Sequence, residues 1–255
     1  MQIHALWFSP TGGTARVADC LLRAMGEPGS TVDLTDRTVD FSQIVFGRDD
    51  VVMIAVPSFA GRVPALAMDR LARVRGNDAR AVLVCVYGNR AYDDTLLELS
   101  DGAKAAGFRI AGAVAAVAEH SVDRRIAAGR PDAADLVQLA SFAAALRQAL
   151  EQEAGEPPLP GNRPYRQGGG GMVPRATDAC VNCGRCAAQC PAGAIDPDDP
   201  RQVDAGLCFG CLRCVSRCPQ QARVLPAEQY AAVCQMLQKV CAGHRENELF
   251  LPAEG

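Results

Sequence analysis

Eight of the chain's 12 cysteines lie in two copies of one spacing in the C-terminal third. In each copy three cysteines are separated by two residues, a fourth follows after three more, and proline comes next. The first copy runs from Cys180 to Pro191 and the second from Cys208 to Pro219. Thiolates at this spacing can surround an inorganic cluster, and the proline turns the chain away because it cannot continue a helix. The sequence therefore predicts two iron–sulfur clusters.

The spacing resembles that of the bacterial two-cluster ferredoxins, in which the fourth cysteine of each run ligates the cluster of the other run. That rule assigns four ligands to each [4Fe–4S] cluster. Cluster 1 takes Cys180, Cys183, Cys186 and Cys218, and cluster 2 takes Cys208, Cys211, Cys214 and Cys190.

Zinc and disulfide bonds are the alternative uses of these cysteines. A zinc ribbon needs two CxxC pairs, whereas each run here has three cysteines and a displaced fourth. Disulfides suit small secreted chains, and we expect no signal peptide before this one. Because labile clusters persist in a reducing environment, we expect a cytoplasmic protein.

The amino-acid composition limits the classes of protein to which the chain can belong. The 255 residues are 49% hydrophobic and 22% charged, which is ordinary for a globular protein with one sizeable core and a smaller module. The net charge of −3 does not favour nucleic acid as a partner. No apolar run approaches the roughly 18 residues of a spanning helix, so we expect no membrane span.

Residues 1–153 alternate apolar runs with amphipathic segments. This alternation with short links predicts an α/β fold, a doubly wound five-stranded parallel sheet with helices on both faces. Strands are predicted over residues 3–8, 32–34, 51–56, 81–87 and 109–117, and helices over 14–25, 65–75, 93–106 and 133–153. No full helix is expected between residues 35 and 50.

The rest of the chain divides into three parts. Residues 154–175 are rich in proline and glycine and predict a linker, with the four glycines 168–171 as a hinge. Residues 176–226 form the small α+β two-cluster module, which repeats internally at an offset of 28 residues. Residues 227–255 provide one helix, to about residue 242, and a tail.

The first strand ends in a glycine-rich loop placed directly before a helix. Its sequence is Ser9-Pro10-Thr11-Gly12-Gly13-Thr14. Glycines permit close backbone approach, hydroxyls add donors, and the unpaired N–H groups of a helix N-terminus attract phosphate. The loop is neither a Walker loop nor a GxGxxG dinucleotide motif. It predicts a phosphate site, with a plain turn as the alternative.

This loop resembles the FMN-phosphate loop of flavodoxins. The order of the two parts is similar to that of the flavodoxin–ferredoxin fusion proteins of anaerobic bacteria and archaea. Further matches to that family are residues 57–64, 87–94, 118–121 and 130–131. The resemblance implies a flavodoxin-like domain followed by a ferredoxin domain, with FMN at the carboxyl ends of the parallel strands, where open sheets bind ligands.

The resemblance also implies residues that contact FMN. In flavodoxins the second and third loops flank the isoalloxazine ring, and by position Phe59 and Tyr92 would stack on it. A core Phe and a Tyr at a helix start are the alternatives. The same loops add Ser58, Ala60, Gly61, Tyr87, Gly88, Asn89 and Arg90, with Asn89 where flavodoxins often carry an acid. His120, at the same rim, is either a flavin or partner contact or an ordinary surface imidazole.

The combination predicts an electron carrier that passes electrons between the two clusters and FMN and on to a redox protein or enzyme, with no catalytic side chain of its own. One alternative is an FMN-dependent reductase of a small substrate fed by its own clusters. Another is a dedicated redox activator of one metalloenzyme.

Charge near the cysteines raises a question about partners. Residues 161–225 contain eight Arg and five Asp, and neither Lys nor Glu, a net charge of +3. Arg185, Arg213 and Arg217 lie inside the cysteine runs. Two interpretations stay open, namely neutralisation of the negative clusters and docking of a partner with an acidic patch.

Overall fold

The computed structural model describes residues 2–152 and 155–253. Five parallel strands build one sheet in the order β2-β1-β3-β4-β5, which is the flavodoxin-like doubly wound order. The strands are β1 (Gln2–Trp7), β2 (Glu27–Asp33), β3 (Val51–Pro57), β4 (Arg80–Tyr87) and β5 (Arg109–Val117). The predicted α/β fold with a five-stranded parallel sheet is therefore confirmed.

Four helices cover the two faces of this sheet. They are α1 (Gly13–Met25), α2 (Ala65–Leu71), α3 (Thr95–Ala105) and α4 (Ala133–Glu151). α1 packs with α4, and α2 packs with α3, so the sheet separates two hydrophobic cores. β3 is buried along nearly its whole length, as its continuous apolar sequence requires of a strand covered on both faces.

Three boundaries among the first five strands and the helices α1 to α3 differ from the sequence prediction by more than one residue. β2 begins at Glu27, five residues early, because an exposed edge strand tolerates Pro28 and Gly29. α2 ends at Leu71 instead of residue 75. α3 begins at Thr95, since Asp93 before it has a φ of +41°. Between residues 35 and 50 only a 3-10 turn forms, at Phe41–Gln43, as expected. The predicted end of α4 at residue 153 lies outside the described residues.

The cysteine-rich part is small and irregular. Its two-residue strands β6 (Arg175–Ala176) and β7 (Arg223–Val224) pair antiparallel and bring its two ends together. Its helices α5 (Arg185–Ala188) and α6 (Arg213–Ser216) occupy equivalent positions in the two cysteine runs. This pseudo-symmetry follows from the repeated sequence.

The C-terminal segment returns to the large sheet. Helix α7 (Ala227–Val240) is followed by strand β8 (Glu248–Phe250), which pairs antiparallel with β5 and becomes the sixth strand of the sheet. The side chain of Asn247 accepts a hydrogen bond from Val117 N at 2.8 Å and donates one to Asp135 at 2.9 Å. This strand was not predicted, because three residues of chain carry no detectable period. Among the described residues, no helix is long and apolar enough to cross a membrane.

The segment predicted as a linker has no regular structure between residues 155 and 174, yet it is bound to the surface of the α/β part. Asp94, which is 2% exposed, accepts hydrogen bonds from Asn162 N at 2.8 Å and from Arg166 N at 2.7 Å. The Arg166 N–H is the main cause that lowers the pKa of Asp94. Arg163 and Tyr165 both bind Asp101 of α3. The segment is therefore a strap along α3.

We expect Asp94→Ala to loosen this strap. Removing the carboxylate leaves the backbone N–H groups of Asn162 and Arg166 without their acceptor, which favours local opening. Trypsin should then cleave after Arg166 about tenfold faster, the change that about 1.4 kcal/mol of opening free energy produces. Asp69→Ala, an exposed carboxylate on α2, is the matched control. Equal cleavage rates in the two variants would contradict this role of Asp94.

Candidate functional site

Four thiols from both cysteine runs surround one cavity of about 360 Å³. Three belong to the first run, and the fourth comes from the second run, across the pseudo-symmetric module. They are Cys180, Cys183, Cys186 and Cys218. The structure thus brings together the four residues that the sequence assigned to cluster 1.

A second cavity of about 380 Å³ is lined by the other four thiols, Cys208, Cys211, Cys214 and Cys190. Its remaining wall is mainly apolar, with Ile195, Val203 and Leu212. Burial raises the pKa of Cys211 to about 11 and that of Cys214 to about 12. These thiols therefore stay protonated unless a metal replaces the proton, which makes binding of iron proton-coupled. These four residues are the ones assigned to cluster 2.

Donors around both cavities fit sulfur-rich anionic groups. The backbone N–H of Ala194 donates to Cys190 Sγ, and that of Ala222 donates to Cys218 Sγ, both at 3.3 Å. Arg223 Nη2 donates to Cys186 Sγ at 3.3 Å, while its Nε and Nη1 are buried without a partner in the described structure. A negative cluster would satisfy such orphaned donors. Within residues 2–152 and 155–253, no three His, Cys, Asp or Glu side chains converge as one metal ion would require.

A cleft of about 460 Å³ lies at the carboxyl ends of β1, β3, β4 and β5. The glycine-rich loop forms its first wall. Ser9 Oγ accepts a hydrogen bond from Ala15 N at 2.9 Å, and Gly12 has a φ of +99°, which favours glycine. The first N–H groups of α1 therefore begin beside the cleft, where an anion is stabilised.

The predicted FMN contacts separate into three groups. Lining the cleft are Pro10, Thr11, Gly13, Thr14, Ser58, Phe59, Tyr87 and Gly88. Ser9 and Gly12 shape the loop without lining the cleft. Not among the lining residues are Ala60, Gly61, Asn89, Arg90 and Tyr92.

The third loop is engaged by the C-terminal segment. The amide of Asn89 donates to the carbonyls of Cys241 and Gly243, both at 2.8 Å. The ring of Tyr92 packs edge-on against Tyr87 at a centroid distance of 5.2 Å, and its hydroxyl donates to Glu248 at 3.1 Å. Arg90 pairs with Asp93. The structure brings Phe59 to the cleft and places the Tyr92 hydroxyl against Glu248 of β8.

The loop after β5 also lines the cleft, and it contains His120, for which the sequence left open a flavin or partner contact or an ordinary surface imidazole. Glu119, His120 and Ser121 line the cleft, with the His120 ring over Gly88. His120 Nδ1 accepts a hydrogen bond from Val122 N at 3.1 Å, so Nε2 carries the proton in the neutral ring. Burial lowers the pKa of His120 and favours that neutral form. In the sequence, these residues were indicated by their position at the carboxyl end of a predicted parallel strand.

The cavity lined by Cys208, Cys211, Cys214 and Cys190 adjoins this cleft, and Phe209 forms part of its wall. Phe209, between Cys208 and Cys211, lies 6.1 Å from Phe8 and 6.3 Å from Phe59 between ring centroids. Phe8 directly precedes the glycine-rich loop, and Phe59 lines the cleft. Apolar rings therefore bridge the cysteine-rich part and the α/β part.

Polar contacts hold the same two surfaces together. Arg213 Nη1 donates to the carbonyls of Ser9 at 3.3 Å and Pro10 at 3.2 Å. Arg70, 7% exposed, donates through Nη2 to Pro191 O at 2.7 Å. Gly171 and Gly210 approach so closely that a Cβ on either would lie about 2.5 Å from the other backbone. The tetraglycine segment thus packs on the loop that holds cluster 2.

Strand order and thiol cavities together define the class of protein. A flavodoxin-like α/β part precedes a module built to hold two iron–sulfur clusters. A comparison with protein families agrees with the cysteine-rich part. Residues 179–223 match the family model for the 4Fe-4S dicluster domain. No curated protein matches the chain.

Solved flavodoxins are similar to this chain over its first part. An archaeal flavodoxin is 10% identical over 59% of this chain and 99% of its own, with a TM-score of 0.43. A flavodoxin of Streptococcus pneumonia TIGR4 is 20% identical over 57% of this chain and 99% of its own, with a TM-score of 0.39. Flavodoxin 1 from Bacillus cereus is 13% identical over 58% and 98%, with a TM-score of 0.41.

The flavodoxin-like strand order, followed along the chain by the dicluster match, is consistent with a flavodoxin–ferredoxin fusion. The match to the 4Fe-4S dicluster domain supports two [4Fe–4S] clusters. The two parts support an electron-transfer flavo-iron–sulfur protein.

Proposed function

We propose that this protein carries electrons between its two [4Fe–4S] clusters and FMN within one chain, and exchanges them with a redox protein. The main observation in support of this proposal is the contact between Phe209, which lies inside the second cysteine run, and Phe59, which lines the cleft. If the assigned cysteines hold the clusters and the cleft holds FMN, cluster 2 would be the neighbour of FMN and cluster 1 the outer centre. Electrons would then pass between the partner, cluster 1, cluster 2 and FMN, in either direction.

The chain's own residues keep the two inner centres close. Phe8, Phe59 and Phe209 form an apolar contact between the cavity lined by the second cysteine run and the cleft. Arg213 ties α6 to the glycine-rich loop, so the loop that would bind phosphate is hydrogen-bonded to the run that would ligate cluster 2.

FMN would be held by the residues that line the cleft. Its phosphate would bind the N–H groups and hydroxyls of Thr11, Gly13 and Thr14 at the start of α1, and Phe59 would flank its ring. His120, neutral with Nε2 protonated, would offer a hydrogen bond at the rim. FMN accepts one or two electrons whereas each cluster moves one, so the protein would link single-electron and two-electron partners.

Location and partners follow from the same chemistry. Eight cluster thiolates persist in a reducing compartment, which favours the cytoplasm. The proposal includes no catalytic side chain, so quinones and nitro compounds should be reduced only slowly. Rapid turnover of such compounds would favour the alternative, an FMN-dependent reductase fed by its own clusters.

We expect Phe209→Ala to slow transfer between cluster 2 and FMN. The substitution removes the ring that bridges the two parts, so electrons must cross a wider and less densely packed gap. A one-electron pulse from a photochemical reductant would be followed by absorbance of the clusters and of flavin. The slow variant should still carry its full iron and flavin. Phe142→Ala, a half-buried ring in α4, is the matched control.

The concentration dependence of that redistribution decides whether the transfer is internal. The proposal requires a first-order rate that does not change when the protein is diluted. A rate proportional to protein concentration would show that electrons pass between molecules, and it would contradict the proposal.

A further inference from the structure

The two cluster cavities differ in their access to solvent. Every residue that lines the cavity of cluster 2 is buried or half-buried, and its loops contact the α/β part. The cavity of cluster 1 has exposed lining residues, including Cys183 and Arg185, and its apolar Val181 is 64% exposed. An electron that enters from another protein therefore has its shortest path at cluster 1.

The five arginines between residues 180 and 225 separate into three roles. Arg223, 3% exposed, reaches Cys186 Sγ and neutralises charge from inside. Arg213 binds the carbonyls of the glycine-rich loop. Arg185, Arg201 and Arg217 are exposed, and none of the three forms an ion pair within the described residues.

These exposed arginines lie around cluster 1. Arg185 lines its cavity, Arg217 directly precedes its ligand Cys218, and Arg201 Nη2 donates to Cys180 O at 3.1 Å. Nearby carboxylates are partly engaged by their own loop. Asp196 accepts from Asp198 N at 2.8 Å, and Asp199 accepts from Arg201 N at 3.2 Å.

We propose that Val181, Arg185, Arg201 and Arg217 form the docking surface for a redox protein that presents acidic side chains around its own redox centre. We call these four residues the cluster 1 rim. This inference rests on the proposed function. It adds the site at which electrons enter or leave the protein and the chemistry of the partner. The exposed Val181 supplies apolar contact at the centre, and the guanidinium groups steer an acidic surface toward it. Arg223 is buried beside Cys186 and would offset part of the cluster charge, whereas the arginines of the rim are exposed to a partner.

The test uses the anaerobic holoprotein, reduced, with a strongly acidic c-type cytochrome and a basic one as probes. Second-order rates are measured from about 0.01 M to about 1 M salt, where the Debye length shortens from about 30 Å to about 3 Å. Three variants are compared with the wild type. The first is the double variant Arg185→Gln with Arg217→Gln, the second changes the same two arginines to Lys, and the third is the single variant Arg147→Gln. Arg147 is an exposed arginine on α4 and is the matched control for loss of charge.

At low salt the acidic cytochrome should react roughly tenfold or more faster than at high salt, and faster than the basic cytochrome. The double Gln variant should lose most of that acceleration, the double Lys variant should keep most of it, and Arg147→Gln should match the wild type. A flat salt dependence, a faster basic cytochrome, or an equal loss in Arg147→Gln would overturn the proposal. The first-order phase between clusters and FMN, recorded on the same samples, reports separately on the proposed function. Cluster absorbance confirms that each variant has folded.

Discussion

Cys218→Ala is expected to remove the cluster bound by the other cysteine run. The iron content should fall from about eight to about four atoms per chain, because the fourth ligand of each cluster comes from the opposite run. The structure places Cys218 in the cavity of Cys180, Cys183 and Cys186, whereas its own run surrounds the other cavity. Iron and sulfide analysis and electron paramagnetic resonance of the reduced protein would measure the loss.

Two controls make this result specific. Cys190→Ala should remove cluster 2 instead and abolish the fast transfer to FMN, since cluster 2 is the inner centre. Cys234→Ala changes a buried cysteine of α7 outside both runs and should leave about eight iron atoms in place. If Cys218→Ala leaves cluster 1 intact and damages cluster 2, the exchange of ligands between the runs is wrong.

Gly12→Val is expected to release FMN. Gly12 has a φ of +99°, where a branched side chain costs about 1–2 kcal/mol, and its Cβ would point into space that no protein atom occupies within 4 Å. If the phosphate binds at this loop, the new side chain competes with it directly. We expect FMN affinity to fall tenfold or more, as a loss of at least about 1.4 kcal/mol requires. Fluorescence of flavin after ultrafiltration gives the measurement.

Gly243→Val separates backbone strain from loss of the site. Gly243 has a φ of +92°, and a Cβ added there would likewise meet no atom within 4 Å, but this glycine follows α7 and lies outside the glycine-rich loop. This variant should bear a similar strain and still retain FMN. Retention of FMN by Gly12→Val, or equal loss from both variants, would contradict the phosphate site.

Local sequence determined how well each part could be predicted. The cysteine ligands were predictable because cluster ligation depends on short, repeated spacings, and the structure gathers all eight residues as assigned. β3 was predictable because a strand covered on both faces must be apolar throughout. By contrast, β2 lies at an edge of the sheet, where packing places few demands on residue type. Its first half was not predicted because Pro28 and Gly29 are unusual within strands.

The least predictable features depend on contacts between distant parts of the chain. Asn89 and Tyr92 were expected to contact FMN, but their side chains bind Gly243 and Glu248, about 150 residues away in sequence. No local sequence pattern predicts that the C-terminal segment adds a strand beside β5. Similarly, the linker composition did not indicate that Asp94 would hold residues 162 and 166 in place.

The role of Arg213 could not be predicted from the local sequence either. Its position within the second cysteine run suggested that it either neutralises the negative charge of the clusters or helps to dock a partner. Its guanidinium instead donates to Ser9 and Pro10 in the glycine-rich loop. Only the fold reveals which arginines of a cationic segment are exposed, and Arg185 and Arg217 are therefore the residues to substitute in a test of docking.

The most direct test of the central claim is quantification of iron, acid-labile sulfide and flavin in protein purified without oxygen. The account predicts about eight iron atoms, about eight sulfides and one FMN per chain, as two [4Fe–4S] clusters and one flavin require. Zinc in place of iron, FAD in place of FMN, or no flavin after reconstitution would contradict it.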